Sequence, residues 1–288
     1  MCRDGREKFG EFGFLVVPGL LASSEVEALQ GRFPLLFRGA FETGNYPDEW
    51  HWREGISSEA ATRHMANCWK SDLTIARLVL SQEIARAAAI LCGWDAIRLG
   101  QDTIWWKPPG TGAIAHHQDS SFMSFLDPPD TVTCWITLDD ARPGAGALEY
   151  VPGSHRWPLT PLPGQFHAPD DFRAQMRHAS LWAEVVPPDS VLISIKAGSC
   201  TFHSGRTWHG SEPNTSSTLT RRSVAIHFLR GDARFSDRPG GYIYRRYKRA
   251  GEARLDDNFF PLLWSSDGRR SEWIDDYCRG DRPLGGHC

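Results

Sequence analysis

Two potential metal ligands, His117 and Asp119, stand at the end of a short apolar segment, residues 114–118. The segment has the composition of a strand, and side chains two residues apart on a strand point to the same face. The imidazole and the carboxylate can therefore bind one ion together. Alone this spacing is weak evidence, because a chain with 11 histidines often contains it by chance. A third ligand has to come from elsewhere.

Two later histidines, His203 and His209, are candidates for that third ligand. The context favours His209, because a turn-rich stretch follows it and leads into an apolar strand at residues 221–228. Arg221 and Ser223 share one face of that strand. A guanidinium group binds a carboxylate through two parallel hydrogen bonds, so this pair suits the distal carboxylate of a dicarboxylic acid.

Two histidines and one carboxylate on one face of Fe(II) form the facial triad of oxygen-activating enzymes. Three coordination positions stay open, two for the keto-acid group of 2-oxoglutarate and one for O2. The residues therefore predict an Fe(II) centre at His117, Asp119 and His209, with 2-oxoglutarate and O2 as co-substrates. In such a centre the iron carries the redox chemistry and the protein supplies orientation and a dry pocket.

The residues of this predicted centre lie among short apolar segments separated by Gly/Pro turns. Many short strands with such turns are typical of a sandwich or barrel, so we predict a mainly β fold with flanking helices. The predicted strands are residues 99–107, 114–118, 132–138, 147–151, 191–195, 199–202 and 223–229.

Elements outside this core are predicted from local patterns. The apolar residues 13–17 predict a strand, a capping box at Ser24 and Glu27 predicts a helix through Gln30, and residues 71–92 carry a helical period. Residues 42–56 are predicted to form a surface loop. The polar residues 155–188 form an insertion able to cover a site, and the tail 231–288 wraps the β core (about 99–230), so that 1–288 is one domain.

At the predicted site the sequence resembles the phytanoyl-CoA dioxygenase family. The resemblance covers about residues 99–230, with a weaker match at 9–21, and rests on several motifs in order. The matching motifs are Lys107-Pro-Pro-Gly110, His117-Gln-Asp119, residues 134–140, residues 146–155, His209-Gly-Ser211 with Asn214, and Arg221 with His227-Phe228. The resemblance implies a double-stranded β-helix (jelly roll, cupin-like).

The resemblance also implies roles for individual residues. The iron ligands would be His117, Asp119 and His209, and Arg221 would hold the C5 carboxylate of 2-oxoglutarate. Ser211, Trp135 and Lys107 match positions that line the co-substrate pocket. In the family this arginine usually follows the distal histidine by eleven positions, whereas here the interval is 221 − 209 = 12, so Arg222 is an alternative to Arg221.

Composition excludes several classes of protein. Hydrophobic residues make up 41% and charged residues 23%, and the net charge is −3 without a basic stripe, so no nucleic-acid partner is predicted. The sequence has no apolar run of about 20 residues for a bilayer span, and no signal peptide at its charged start. Seven cysteines without a CxxC pair predict reduced thiols in a cytoplasmic protein, with Cys134 and Cys200 in the core. The oligomeric state stays open.

We predict hydroxylation, oxidative cyclisation or desaturation of a small polar or cyclic metabolite, such as a natural-product or sugar-containing intermediate. Twelve tryptophans suit an aromatic-walled pocket, and Asp119 argues against halogenation, for which related enzymes carry a small residue. One alternative is an acyl-CoA substrate, whose phosphates would need the cations of residues 242–249. The others are a non-redox cupin-like metalloenzyme and a binding module, and the Arg221–Ser223 pair argues against the former.

Overall fold

The short strands predicted from the sequence form two main antiparallel sheets in the computed structural model, which describes residues 3–238, 241 and 243–280. The strands are β1 Phe14–Val17, β2 Glu49–Trp50, β3 Arg63–Ala66, β4 Ala96–Lys107, β5 Ile114–His117, β6 Leu126–Asp127, β7 Thr131–Thr137, β8 Leu148–Tyr150, β9 Val191–Leu192, β10 Cys200–Ser204, β11 His209–Ser211, β12 Arg221–Arg230, β13 Arg234–Phe235 and β14 Leu262–Ser265. The helices are α1 Arg3–Phe12, α2 Ser23–Phe37, α3 Leu73–Val79, α4 Gln82–Cys92, α5 Asp119–Phe122, α6 Ala174–Trp182 and α7 Ile274–Arg279, with 3-10 turns at Cys68–Lys70, Ser154–Arg156 and Arg245–Tyr247.

The larger sheet has the strand order β1-β10-β7-β12-β4-β3-β2, and β14 pairs with the other end of β4. The smaller sheet has the order β5-β11-β8-β9, and β13 pairs with β6. The two main sheets pack face to face, with Trp135 and Ala225 of one against Leu148 and Tyr150 of the other. This arrangement confirms the predicted jelly roll.

Alternation along β7 shows how the larger sheet separates its two faces. Val132, Cys134 and Ile136 join the main apolar core, together with side chains of α2, α3 and α4. Thr133 and Trp135 point to the opposite face, toward the smaller sheet. Each fully buried aliphatic side chain contributes about 1.5–3 kcal/mol to stability, so the outer face stabilises the sheet while the inner face is free to carry polar groups.

The pairing of β12 with β4 aligns the predicted co-substrate residues. Arg221 lies opposite Lys107, and Ser223 lies opposite Trp105. Because residues two apart share a face, these four side chains lie on the inner face of the sheet. The fold therefore brings together residues that are more than 100 positions apart in the chain.

Three expectations about the flanking elements were wrong in detail. The predicted loop at residues 42–56 contains β2, and Trp52 within it is 3% exposed. The helical period of residues 71–92 is divided into α3 and α4, because the Ser81 hydroxyl accepts the Ile84 amide and starts a new helix. The first capping contact is made by Glu25, whose carboxylate accepts the Ala22 amide, rather than by Ser24 and Glu27.

The tail returns to the larger sheet. Trp264 of β14 lies opposite Ile97 of β4, and Tyr277 of α7 donates a hydrogen bond to the Trp69 carbonyl at 2.8 Å. Cys134 and Cys200 are both fully buried, as expected. Among the described residues, no helix has the length and apolar character needed to cross a bilayer.

Candidate metal and co-substrate site

Three local elements bring His117, Asp119 and His209 together. His117 ends β5, Asp119 begins α5, and His209 begins β11. The pairing of β11 with β5 places His209 directly opposite His117. One potential ligand atom from each of the three lies within 4.8 Å of the others, and all three side chains are buried.

Hydrogen bonds fix which imidazole nitrogen of each histidine is free. His117 Nδ1 lies 2.8 Å from the Ala115 carbonyl oxygen, and His209 Nδ1 lies 2.9 Å from the Thr207 carbonyl oxygen. Because a carbonyl only accepts, each Nδ1 carries the proton and each Nε2 keeps its lone pair. The two Nε2 atoms lie 3.4 and 3.6 Å from Asp119 Oδ1. Two imidazole lone pairs and one carboxylate oxygen thus converge, and this donor set fits divalent iron.

The second oxygen of Asp119 is held by the protein. Oδ2 accepts hydrogen bonds from the Thr133 hydroxyl at 2.6 Å and from His203 Nε2 at 3.0 Å. The other ring nitrogen of His203 contacts the Tyr150 hydroxyl at 2.9 Å. His203, the rejected candidate for the third ligand, therefore lies behind Asp119, where it leaves Oδ1 free to face His117 and His209.

Electrostatics keeps these groups in the protonation state that binds metal. Burial alone would raise the pKa of Asp119, but the surrounding histidines, His209, His227, His117 and His203, together outweigh burial and hold this pKa well below its usual range. Burial, together with His117 and His203, lowers the pKa of His209 well below its usual value. At neutral pH the site therefore offers a carboxylate and a neutral imidazole, the forms that ligate metals.

Two buried cations lie beside this cluster. Lys107 donates to the Ser211 hydroxyl at 2.9 Å, and Arg221 donates through Nη1 to the Ser223 hydroxyl at 2.8 Å. Burial lowers the pKa of Lys107 well below its usual value, helped by Arg221, and lowers the pKa of Arg221 to about 10. Neither cation forms an ion pair with a carboxylate in the described part of the chain. Since buried unpaired charge is costly, this pocket favours an anionic ligand.

Arg222, the alternative to Arg221, points to the other side of β12. Its guanidinium forms an ion pair with Asp139 through Nη2 at 2.7 Å and Nε at 2.9 Å. Arg221 faces inward, with its guanidinium carbon 5.5 Å from the centre of the Trp135 ring. The geometry therefore favours Arg221 as the anion-binding residue.

Several residues at the site were missed by the sequence analysis. The Phe166 ring, from the insertion, packs edge-on against His117 with centroids 5.0 Å apart, and the Phe122 ring lies 5.7 Å away. Thr133 was also missed, although a threonine among apolar residues of a buried strand is a usable signal. The insertion thus contacts His117 through Phe166.

Known proteins are similar to this chain in sequence and fold. The profile of the family described as "Phytanoyl-CoA dioxygenase (PhyH)" matches residues 9–223. A protein of Stutzerimonas stutzeri named "Probable alpha-ketoglutarate-dependent hypophosphite dioxygenase" is 32% identical over 160 residues, which cover 54% of this chain and 53% of the relative. The match to this curated relative thus spans about half of its length.

Solved structures extend the likeness to almost the whole chain. The "non-heme alpha ketoglutarate dependent carbocyclase SnoK from nogalamycin biosynthesis" is 25% identical with a TM-score of 0.71, over 92% of this chain and 97% of the other. The "epimerase SnoN in complex with Fe3+, alpha ketoglutarate and nogalamycin RO" is 26% identical with a TM-score of 0.69, over 91% and 98%.

Fold and site together define the class of non-haem iron and 2-oxoglutarate dioxygenases with a jelly-roll core. Within that class the chain belongs to the phytanoyl-CoA dioxygenase family, because the family profile matches about three quarters of its length. Iron and 2-oxoglutarate are accordingly the cofactor and co-substrate.

Proposed function

We propose that this protein oxidises a C–H group of a small metabolite, with His117, Asp119 and His209 as the iron ligands. The observation that carries the proposal is the convergence of two free Nε2 atoms on Asp119 Oδ1, beside two buried cations that have hydroxyl and carbonyl but no carboxylate partners among the described residues. Bound Fe(II) supplies the redox chemistry, coupled to oxidative decarboxylation of 2-oxoglutarate. The chain's own residues bind and orient both reactants and exclude water.

Arg221 and Ser223 would bind the C5 carboxylate of 2-oxoglutarate. The guanidinium is already oriented by the Gly146 carbonyl, which accepts from Nε at 3.0 Å. Lys107 and Ser211 would add positive charge and a hydroxyl on the same inner surface, and Trp135 would form the wall beside the guanidinium. Such pre-oriented donors lose little freedom when the ligand binds.

A polar or cyclic natural-product intermediate is the substrate class that we favour, with hydroxylation, cyclisation or desaturation as the outcome. The rings of Phe122 and Phe166 pack edge-on against His117, and the Trp105 ring lies beside Phe166. Aromatic faces of this kind suit cyclic ligands. SnoK and SnoN both come from nogalamycin biosynthesis, which supports the same class.

An acyl-CoA substrate is less well supported, because three cations of residues 242–249 already have partners within the protein. Arg249 pairs with Asp256 at 2.7 Å, Lys248 donates to the Ser236 carbonyl at 2.6 Å, and Arg246 lies 3.7 Å from Asp48. Tyr242 lies outside the described residues. These side chains would have to exchange partners before they could bind the phosphates of CoA.

The test is anaerobic binding of Fe(II) and 2-oxoglutarate, followed through the weak visible absorption band of the chelated keto acid. We expect the band in the wild type, its loss in Asp119→Ala, and weaker 2-oxoglutarate binding in Arg221→Ala by about 10- to 100-fold, the value of a charge-assisted hydrogen-bond pair. Arg222→Ala is the matched control and should keep wild-type binding. Metal binding without any band would instead favour a non-redox cupin-like metalloenzyme.

We also propose a cytoplasmic location and a single domain. The described cysteines, Cys68, Cys92, Cys134, Cys200 and Cys278, are all free thiols, as in proteins of reducing compartments. The pairing of β14 with β4 joins the tail to the larger sheet, which carries Lys107 and Arg221, and this supports one domain over residues 1–288.

A further inference from the structure

A second histidine cluster lies at the edge of the larger sheet, apart from the proposed iron ligands. His64 belongs to β3, His51 follows β2, and His167 belongs to the insertion. One ring nitrogen of each lies within 4.8 Å of the others, and the ring centroids are 4.4, 4.6 and 5.0 Å apart. We propose that His51, His64 and His167 form a second metal site, which binds a borderline divalent cation such as Zn²⁺.

Two of the three histidines have buried nitrogens that the described protein does not satisfy. His64 Nδ1 and His167 Nδ1 are both buried without a hydrogen-bond partner. Buried polar atoms in native proteins usually have a partner, and leaving one unpaired costs about 1–3 kcal/mol. A bound cation would satisfy both lone pairs at once.

Glu49 contacts His64 on the side of the ring that faces away from the proposed metal position. Its Oε2 lies 3.3 Å from His64 Nε2, which places the proton on Nε2 and the lone pair on Nδ1. A carboxylate that accepts from the outer nitrogen of a ligating histidine is the usual support of zinc-bound imidazole. Glu49 also contributes negative charge to a cluster that otherwise contains only imidazoles.

The charge state of the cluster agrees with this role. Burial lowers the pKa of His167 to about 3, with further contributions from His64 and His51, and burial also lowers the pKa of His51. Burial would raise the pKa of Glu49, but its hydrogen bond with His64 and its proximity to His64 and His51 together outweigh burial and lower this pKa. The positive charge of Lys107 also lowers the pKa of His167. Neutral imidazoles beside a carboxylate are the ligand form of the site.

Coordination requires a modest rearrangement of the rings. Zinc binds imidazole nitrogen at about 2.0–2.1 Å, and an imidazole lone pair lies in the ring plane. The three rings are nearly parallel, with interplanar angles of 18°, 13° and 6°, so they must turn about their Cβ–Cγ bonds to face one ion. His51 is exposed and has room to turn, while water can fill the remaining position.

A cation bound at this site would link the insertion to the larger sheet. His167 makes a β-bridge with Ile114, which lies on the same strand as His117. Its neighbour Phe166 packs on the His117 ring. A cation held by His51, His64 and His167 would therefore fasten the insertion over the proposed iron site without taking part in that site.

The experiment counts Zn²⁺ ions on metal-free protein by calorimetric titration. We expect two equivalents for the wild type, one for His64→Ala/His167→Ala, and one for His117→Ala/His209→Ala. The exposed His178 of α6 provides the matched control, and His178→Ala should retain two equivalents. Because the two double variants remove different sites, failure of the second site is distinguishable from failure of the proposed iron site.

The proposal is overturned if His117→Ala/His209→Ala binds no Zn²⁺, or if His64→Ala/His167→Ala still binds two equivalents. His51→Ala covers the case in which the double variant does not fold, because His51 is exposed and its removal leaves the core intact. This single variant should weaken the second Zn²⁺ site at least about tenfold with an unchanged circular dichroism spectrum. Unchanged affinity in His51→Ala would also count against the site.

Discussion

At the scale of single residues, the two oxygens of Asp119 have different partners. Oδ2 is bound by Thr133 and His203, while Oδ1 faces the free nitrogens of His117 and His209. A carboxylate held in this way cannot rotate without breaking two hydrogen bonds, and so it directs one oxygen toward the proposed metal position. Such outer partners commonly change metal affinity by about 10- to 100-fold when they are removed.

Thr133→Val tests this orientation. Valine keeps the shape of threonine and removes the hydroxyl, so Asp119 Oδ2 loses the 2.6 Å hydrogen bond from Thr133 and keeps the one from His203. We expect Fe(II) affinity to fall by about 10-fold or more, as measured by anaerobic titration. Thr137→Val, on the same strand, loses a bond to the Asp139 carbonyl and should bind Fe(II) normally. Equal affinities in the two variants would contradict the role given to Thr133.

The identities at the site were predictable to different degrees. The spacing of His117 and Asp119, and the alternation that separates Arg221 from Arg222, are local features and could be found from the sequence. Thr133 and Tyr150 could not be assigned, because their contacts depend on which strands become neighbours. Contacts between side chains of separate elements leave no local signal.

At the scale of elements, the close approach of β11 to β5 positions His209. Gly210 lies between the two paired positions of β11. A Cβ atom there would lie 2.4 Å from His116 Cδ2 and 2.8 Å from the Ile114 carbonyl oxygen. The absence of a side chain therefore permits the pairing that places His209 opposite His117.

Gly210→Ala should push β11 away from β5. We expect a loss of stability of about 1–3 kcal/mol, the usual cost of overpacking, together with Fe(II) affinity at least about tenfold weaker. Thermal unfolding and metal titration measure the two effects. Gly164→Ala is the control, because a Cβ at Gly164 meets nothing within 4 Å. Unchanged metal binding in Gly210→Ala would show that the strands can separate without displacing His209.

The sequence predicted the long strands well and the peripheral elements less well. Alternation extends over all of β7 and most of β4 and β12, so these strands were found within a few residues. β2 has only two residues, and Trp52 beside it is buried by packing against Phe37 and Arg63, contacts that local composition does not show. The break between α3 and α4 was missed because both helices bury apolar residues in the same core.

At the scale of the whole molecule, two buried lysines differ in whether a carboxylate compensates their charge. Lys70 forms an ion pair with Asp48 at 2.7 Å, whereas Lys107 has hydroxyl and carbonyl partners in Ser211 and Glu212. The sequence does not show which of these lysines has a carboxylate partner, because that difference arises from the assembled fold. Lys70 is thereby compensated within the protein, while Lys107 depends on a ligand for its countercharge.

Lys107→Met should therefore stabilise the ligand-free protein while weakening its response to 2-oxoglutarate. Burial holds the pKa of Lys107 well below its usual value, so the folded state is penalised when the amine is protonated, and stability rises as pH rises toward the ordinary lysine range. Methionine removes that penalty at neutral pH, and we expect a gain of about 1–4 kcal/mol, which shrinks as pH increases. Saturating 2-oxoglutarate, at about 100 times its Kd, should add about 2.7 kcal/mol to the iron-loaded wild type and clearly less to the variant at the same concentration. Thermal unfolding with and without 2-oxoglutarate measures both effects.

The control, Lys70→Met, should lose stability, because Asp48 is left without its lysine partner. If Lys107→Met were instead destabilised as much as Lys70→Met, Lys107 would be compensated within the fold, and the buried charge would no longer indicate an anionic co-substrate.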